Sequence, residues 1–95
     1  MSNWSPVKPV TSGMTEFCNL VKPEIEEMAG KTFDVYTPVS FAYKPLVGGM
    51  DYAINVNVGN VCVHAMATET LPYGEKRTVL RIQHPKALTD PLKPF

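Results

Sequence analysis

Two cysteines and two histidines are the residues of this 95-residue chain best suited to chemistry: Cys18, Cys62, His64 and His84. A cysteine becomes a nucleophile where a neighbouring base or positive charge lowers its pKa. Cys18 lies in a stretch with helical spacing and Cys62 in one with strand spacing, and neither stands in a motif of that kind. The histidines are not at metal-ligand spacing from either cysteine, and two thiols alone are too few for a structural zinc. Both thiols therefore read as packed or surface residues. His64 has the chemistry of a general base, but no acidic or hydroxyl partner is evident beside it. A half-buried sheet histidine is the plainer reading. Glu24, Glu26 and Glu27 cluster as the solvated face of a helix would. Gly48-Gly49 is too short for a phosphate-binding loop. An enzyme needs a nucleophile, a base, an orienting group or a metal in one constellation. None is present, so the chain reads as a non-enzyme with no metal and no cofactor.

Nine basic and nine acidic residues cancel, which leaves no general electrostatic attraction to nucleic acid or to an anionic membrane. Apolar residues make up 44% of the chain and charged residues 19%, a balance that favours one folded core over disorder. The length suits a single domain over residues 1–95. The opening Met-Ser-Asn-Trp-Ser-Pro lacks the basic start and apolar stretch of a signal peptide, and no apolar run has the length of a membrane span. Two cysteines are sparse for a small secreted domain. The expected location is the cytoplasm.

Residues 1–12, with Pro6 and Pro9, read as an extended arm. A helix follows, capped by Thr11, Ser12 or Thr15, with Glu16 near its positive end. Phe17, Leu20, Val21, Ile25 and Met28 draw an apolar stripe, and Gly30 suits the stop. Pro23 predicts a bend in one helix and not a division into two. From Phe33 the period changes to two. Phe33, Val35, Val39, Phe41 and Tyr43 share a face, with an unpaired side or a bulge at Pro38. Pro45 to Gly49 break the pattern. Tyr52, Ile54, Val56 and Val58 resume it, Gly59-Asn60 marks a turn, and Val61, Val63, Ala65 and Ala67 form another strand. After Leu71-Pro72-Tyr73-Gly74, residues Thr78 to Gln83 read as a strand, and the proline-rich tail as irregular. The expected fold is α+β: one amphipathic helix packed on an antiparallel sheet of four to five strands.

Both long breaks carry apolar side chains where hairpin tips normally expose turn formers: Leu46 and Val47 in one, Leu71, Pro72 and Tyr73 in the other. In a meander of this order the two tips fall at the same end of the sheet. Such tips either fold back onto the core or form a binding edge.

These residues resemble a known family. Pro45-Leu46-Val47-Gly48-Gly49 is similar to the Gln-Val-Val-Ala-Gly loop of cystatins, and Met50-Asp51-Tyr52 stands where the family has Thr-Asn-Tyr. Leu71-Pro72 resembles the Leu-Pro of the second hairpin of stefins, the type 1 cystatins. Val21 to Glu27 is similar to the stefin segment Val-Lys-Pro-Gln-Leu-Glu-Glu. Lys8-Pro9-Val10-Thr11 is similar to Lys-Pro-Ala-Thr, and His64 falls where stefins tend to carry a histidine. The resemblance covers nearly the whole chain, in order and at matching spacing, and it accounts for Pro23.

What the resemblance implies is a cystatin-like fold and a reversible, tight-binding, substrate-excluding inhibitor of papain-like cysteine proteases, the cathepsins of L, H, S or B type. An N-terminal trunk (Ser2, Asn3, Trp4) and two hairpin loops (Pro45, Leu46, Val47, Gly48, Gly49; Leu71, Pro72, Tyr73) would form a wedge. The resemblance implies a monomer, with a domain-swapped dimer formed by opening the first loop. A binding or scaffolding module that has lost inhibition is the alternative. Three departures stand out. Pro45 replaces glutamine and stiffens the approach to the turn. Gly48 replaces alanine. No glycine stands near Ser2 or Asn3, where stefins carry one, and Gly13 lies too close to the helix to serve. Trp4 reads either as an apolar anchor or as a residue packed along the sheet edge.

Overall fold

A computed structural model of the chain describes residues 3–70 and 76–95. Ser2 in the trunk and Leu71, Pro72 and Tyr73 in the second loop lie outside the described residues. Five strands form one antiparallel sheet in sequence order: β1 (Lys8–Pro9), β2 (Thr37–Leu46), β3 (Gly49–Asn57), β4 (Cys62–Thr70) and β5 (Arg77–Lys86). Two helices, α1 (Ser12–Leu20) and α2 (Lys22–Ala29), lie between β1 and β2. The expected α+β architecture is therefore present, with part of the arm recruited as an edge strand on β2.

The helical region departs from the expected single bent helix. Thr11 caps α1 by accepting a hydrogen bond from the Met14 amide at 3.2 Å; Glu16 falls beyond the first turn. Val21, at φ −95° and ψ 2°, leaves helical geometry and divides the segment in two. Pro23 then sits in the first turn of α2, where its missing N–H needs no intrahelical partner. Val21 still donates to Phe17 O and accepts from Ile25 N, both at 3.1 Å, so the junction is tight. Tyr36 OH donates to the Cys18 carbonyl at 2.6 Å, supplying a partner in the last turn of α1. The buried residues keep helical spacing across Val21, and two members of the expected stripe fall outside them. Met14, Phe17, Cys18, Val21 and Ile25 are buried, while Leu20 and Met28 are exposed. Gly30 closes α2 at φ 73°, as its place in the sequence predicts.

Phe41, Ile54, Val56, Val63, Ala65, Ala67 and Val79 meet the buried helix residues and Phe33 in the main core. Strand alternation explains this set. A bulge lies between Pro38 and Ser40, as the proline predicts. It places Val39 outside the core, and Val35 precedes the strand; both are exposed, against the expected shared face with Phe41. The sheet also buries the middle of its other face. Ala53, Met66 and Leu92 cluster there, with Trp4 and Phe95 packed against them.

Two of the three clustered glutamates are not simply solvated. Glu24 accepts from the Val79 amide of β5 at 2.8 Å, and Glu26 from the Phe33 amide at 2.7 Å. Val79 lies beside a bulge in edge strand β5, and the carboxylate satisfies an amide no further strand reaches. Glu24→Ala leaves that buried N–H without its acceptor and should lower stability by about 1–3 kcal/mol, read as a shift in the urea midpoint, with Glu27→Ala near neutral.

Candidate functional site

The apolar tip is a two-residue turn. β2 runs as far as Leu46, which pairs with Gly49, and Val47 and Gly48 alone make the reversal. The structure thus narrows the expected break over Pro45 to Gly49, because Pro45 is still paired with Met50. Gly48 has φ 75°, a conformation in which a side chain is strained. Gly49 has a different role. A Cβ there would lie 2.7 Å from the Glu69 carbonyl oxygen of β4. The glycine lets β3 close against β4 at the base of the hairpin. Gly49→Ala should push the tip away from β4 and lower stability by about 1–3 kcal/mol, read by thermal melting.

Val47 is fully exposed and Leu46 is exposed at 42%. The tip therefore does not fold back onto the core. Three further observations place its neighbours. Gly49 pairs with Thr70, so β4 ends at the same end of the sheet as Val47. Thr70 N donates to Lys76 O at 3.0 Å and Lys76 N to Thr70 Oγ at 3.1 Å, so the chain enters β5 beside the end of β4. The arm runs antiparallel to β2, with Lys8 opposite Phe41, and so heads back toward the same end. There Ser5 N donates to Tyr43 O at 2.8 Å, and Tyr43 N donates to Ser5 Oγ at 2.9 Å. Asn3 and Trp4 follow this clip outward; Asn3 is exposed and Trp4 half-buried.

Behind the tips, Tyr52 OH donates to Glu69 Oε1 at 2.7 Å, and Arg77 Nε lies 3.8 Å from Glu69 Oε2. Burial and this bond hold the tyrosine phenol above its ordinary range. The trio ties β3, β4 and β5 together just inside the candidate edge. Sequence reading missed Ser5, Glu69 and Arg77. The readable signal for the last two was opposite charge at the two sides of the Leu71–Gly74 break.

The sequence that builds these elements is similar to those of known proteins. Over 82 residues the chain is 37% identical to cystatin-B of Oplegnathus fasciatus, an overlap that takes in 84% of this chain and 81% of that one. The chain belongs to the stefin family, the type 1 cystatins. The stefin is also 34% identical over 93 residues to cystatin-B of Macaca fuscata fuscata, covering 96% and 94% of the two chains. It is 35% identical over 69 residues to leukocyte cysteine proteinase inhibitor 1 of Sus scrofa, covering 72% and 66%. No family model matches the chain. Stefins are protease inhibitors and not enzymes.

The chemistry-bearing residues of this stefin are packed into the scaffold. Cys18 is fully buried, and burial pushes its thiol up to about 12. Cys62 is buried and unpaired in a disulfide, and its pKa is also raised by burial. Among the described residues, no group of three or more His, Cys, Asp or Glu side chains is placed to hold a metal ion. Among the described residues, no helix is long and apolar enough to cross a membrane.

His64 is buried more deeply than its place in the sequence suggests, at 1% exposure. Among the described residues, its Nε2 has no hydrogen-bond partner, nor does Oδ1 of Asn55, its opposite in register on β3. Burial first, then Lys86, lowers the imidazole pKa, while Asp90 acts in the other direction. A depressed folded-state pKa makes the neutral ring the stable form. Its contribution is fully present above the ordinary value of about 6.5 and is lost as pH falls through the lower folded value. Melting temperature should therefore drop as pH falls below about 6.5, and His64→Gln should flatten that limb. An unchanged acid limb in the variant would assign it to other groups.

Proposed function

We propose that this stefin is a reversible, substrate-excluding inhibitor of papain-like cysteine proteases, acting through the sheet end that carries Val47. The observation that supports this most is the fully exposed, apolar Leu46–Val47 tip, held on a two-residue turn at the end toward which the N-terminal arm returns. A rigid tip loses little conformational freedom on docking. Apolar side chains at the tip gain by leaving water, and need no nucleophile to do so. The wedge would consist of Ser2, Asn3 and Trp4; Pro45 through Gly49; and Leu71, Pro72 and Tyr73. Contact of about 800 Å² or less per partner suffices for tight binding by preorganised surfaces. The relative named as a leukocyte cysteine proteinase inhibitor supports the same class of partner.

With both thiols buried, no mixed disulfide with the protease nucleophile is expected, and inhibition is non-covalent. Cathepsins of L, H, S or B type are the proposed targets, and the cytoplasm the proposed location. The monomer is the inhibitory form, because exchange of α1, α2 and β2 between two copies would straighten Leu46–Gly49 and remove the wedge. Titration of active-site-quantified papain with the monomer, followed with a fluorogenic substrate, tests the reading. One-to-one, reversible loss of activity at nanomolar concentrations is expected. Full activity at micromolar excess would overturn it in favour of a non-inhibitory binding module.

A further inference from the structure

The outer face of the sheet carries a packing unit apart from the main core. Ala42, Ala53, Met66 and Arg81 follow one another in register across β2, β3, β4 and β5. Ala42, Ala53 and Met66 are buried although the helix residues of the main core pack on the opposite face. The cover comes from the two ends of the chain. Leu92 is buried with Ala53 and Met66, and Trp4 and Phe95 pack against that cluster. The two alanines make a shallow lane in which large rings can lie flat.

Both covering segments are fastened. In the tail, Ala87 N donates to Asp90 Oδ2 at 2.8 Å and Asp90 N to Ala87 O at 3.0 Å. Farther on, Arg81 Nε donates to Phe95 O at 2.6 Å, and its guanidinium lies 5.7 Å from the Phe95 ring centre. In the arm, Ser5 is clipped to Tyr43. Trp4 therefore follows directly from the Ser5 clip and packs against the cluster to which Leu92 belongs. Asn3 then leaves the sheet from a fixed point.

We propose that Leu92 is a positioning residue for the N-terminal trunk: the C-terminal tail seats Trp4 on the outer face and so sets the direction in which Asn3 enters the protease cleft. The protease half of this statement rests on the proposed function; the seating half does not. Leu92 touches no protease and acts through Trp4. A seated trunk loses less freedom on docking than a loose one. The tail thereby tunes affinity through a residue, Leu92, that is not itself part of the wedge.

Trp4 is the one tryptophan of the chain, so its emission reports the seat directly. In Leu92→Ala the emission of the uncomplexed protein should shift to the red as the indole gains water. Inhibition of papain should weaken about tenfold. Leu92→Met, which refills the volume, should restore both. In a Trp4→Ala background, Leu92→Ala should change inhibition no further. If Leu92→Ala does not fold, Arg81→Gln loosens Phe95 without emptying the cluster and carries the same expectations. Unshifted emission overturns the proposal, as does a tenfold loss that persists without Trp4. Should the wild-type protein not inhibit papain, the protease reading falls alone. The emission shift and its rescue then decide the seating, a shift supporting it and no shift overturning it.

Discussion

Val47→Asp is expected to weaken inhibition of papain by about 30- to 1000-fold while leaving the melting temperature nearly unchanged. The two halves of this expectation have different causes. Val47 is fully exposed at the turn, so its side chain has little folded-state environment to lose. Surface substitutions of that kind stay within about 0.5 kcal/mol. In the proposed complex the same side chain is taken out of water at the centre of the contact. Residues in that position contribute about 2–4 kcal/mol, and every 1.4 kcal/mol is a factor of ten in affinity. A buried, unpaired carboxylate adds its own desolvation penalty. Inhibition titration beside thermal melting checks both halves. Unchanged affinity would mean that the tip does not enter the protease.

Ile54→Ala is expected to have the largest effect on stability, about 3–4 kcal/mol. Ile54 has no exposed surface and lies mid-strand on β3, between Phe41 of β2 and Ala65 of β4. It belongs to the cluster that also holds Phe17, Val21 and Ile25 of the helical segment. Removing its branched end loses transfer free energy and leaves a cavity that paired strands on both sides cannot close. For a domain of this size each kcal/mol moves the melting temperature by about 4–8 °C. Melting by circular dichroism should show a fall of roughly 12–30 °C. At temperatures where the variant stays folded, inhibition should remain near wild type, because Ile54 is far in register from the Leu46–Gly49 turn. That separates the scaffold from the edge it carries.

The strands were readable because β2, β3 and β4 alternate on the helix-facing side, as Phe41, Ile54 and Val63 show. The apolar tip was readable for the opposite reason, since Leu46 and Val47 interrupt a pattern that normally turns polar. Other features depended on geometry no local pattern carries. The stripe misplaced Leu20, which stands about a third of a turn off the line of Met14, Cys18, Val21 and Ile25, and Met28, which falls in the last turn of α2 beyond the buried residues. Val39 was assigned to the core face because a one-residue bulge reverses which side a side chain faces. The bonds from Glu24 to Val79 and from Glu26 to Phe33 join residues that only the packed fold brings together.

The outer-face seat was also unread, although a signal existed. From Cys62 to Ala67 the residues are buried without interruption, and that run, small or apolar apart from His64, departs from the polar alternation of a strand with one wet face. It requires a cover on both sides. The tail supplies it through Leu92, a single apolar residue between Pro91 and Pro94. The trunk could be recognised by resemblance, but its attachment through Ser5 and Trp4 needed the fold.

The measurement that tests the central claim most directly is backbone hydrogen exchange of the stefin, free and bound to papain whose active-site thiol has been chemically blocked. Added protection on binding should concentrate at Asn3 to Ser5, at Leu46 to Gly49 and at residues 70–76, with the exposed face of α2 unchanged. Protection centred on α1 and α2, with the Leu46–Gly49 turn exchanging as in the free protein, would contradict the account.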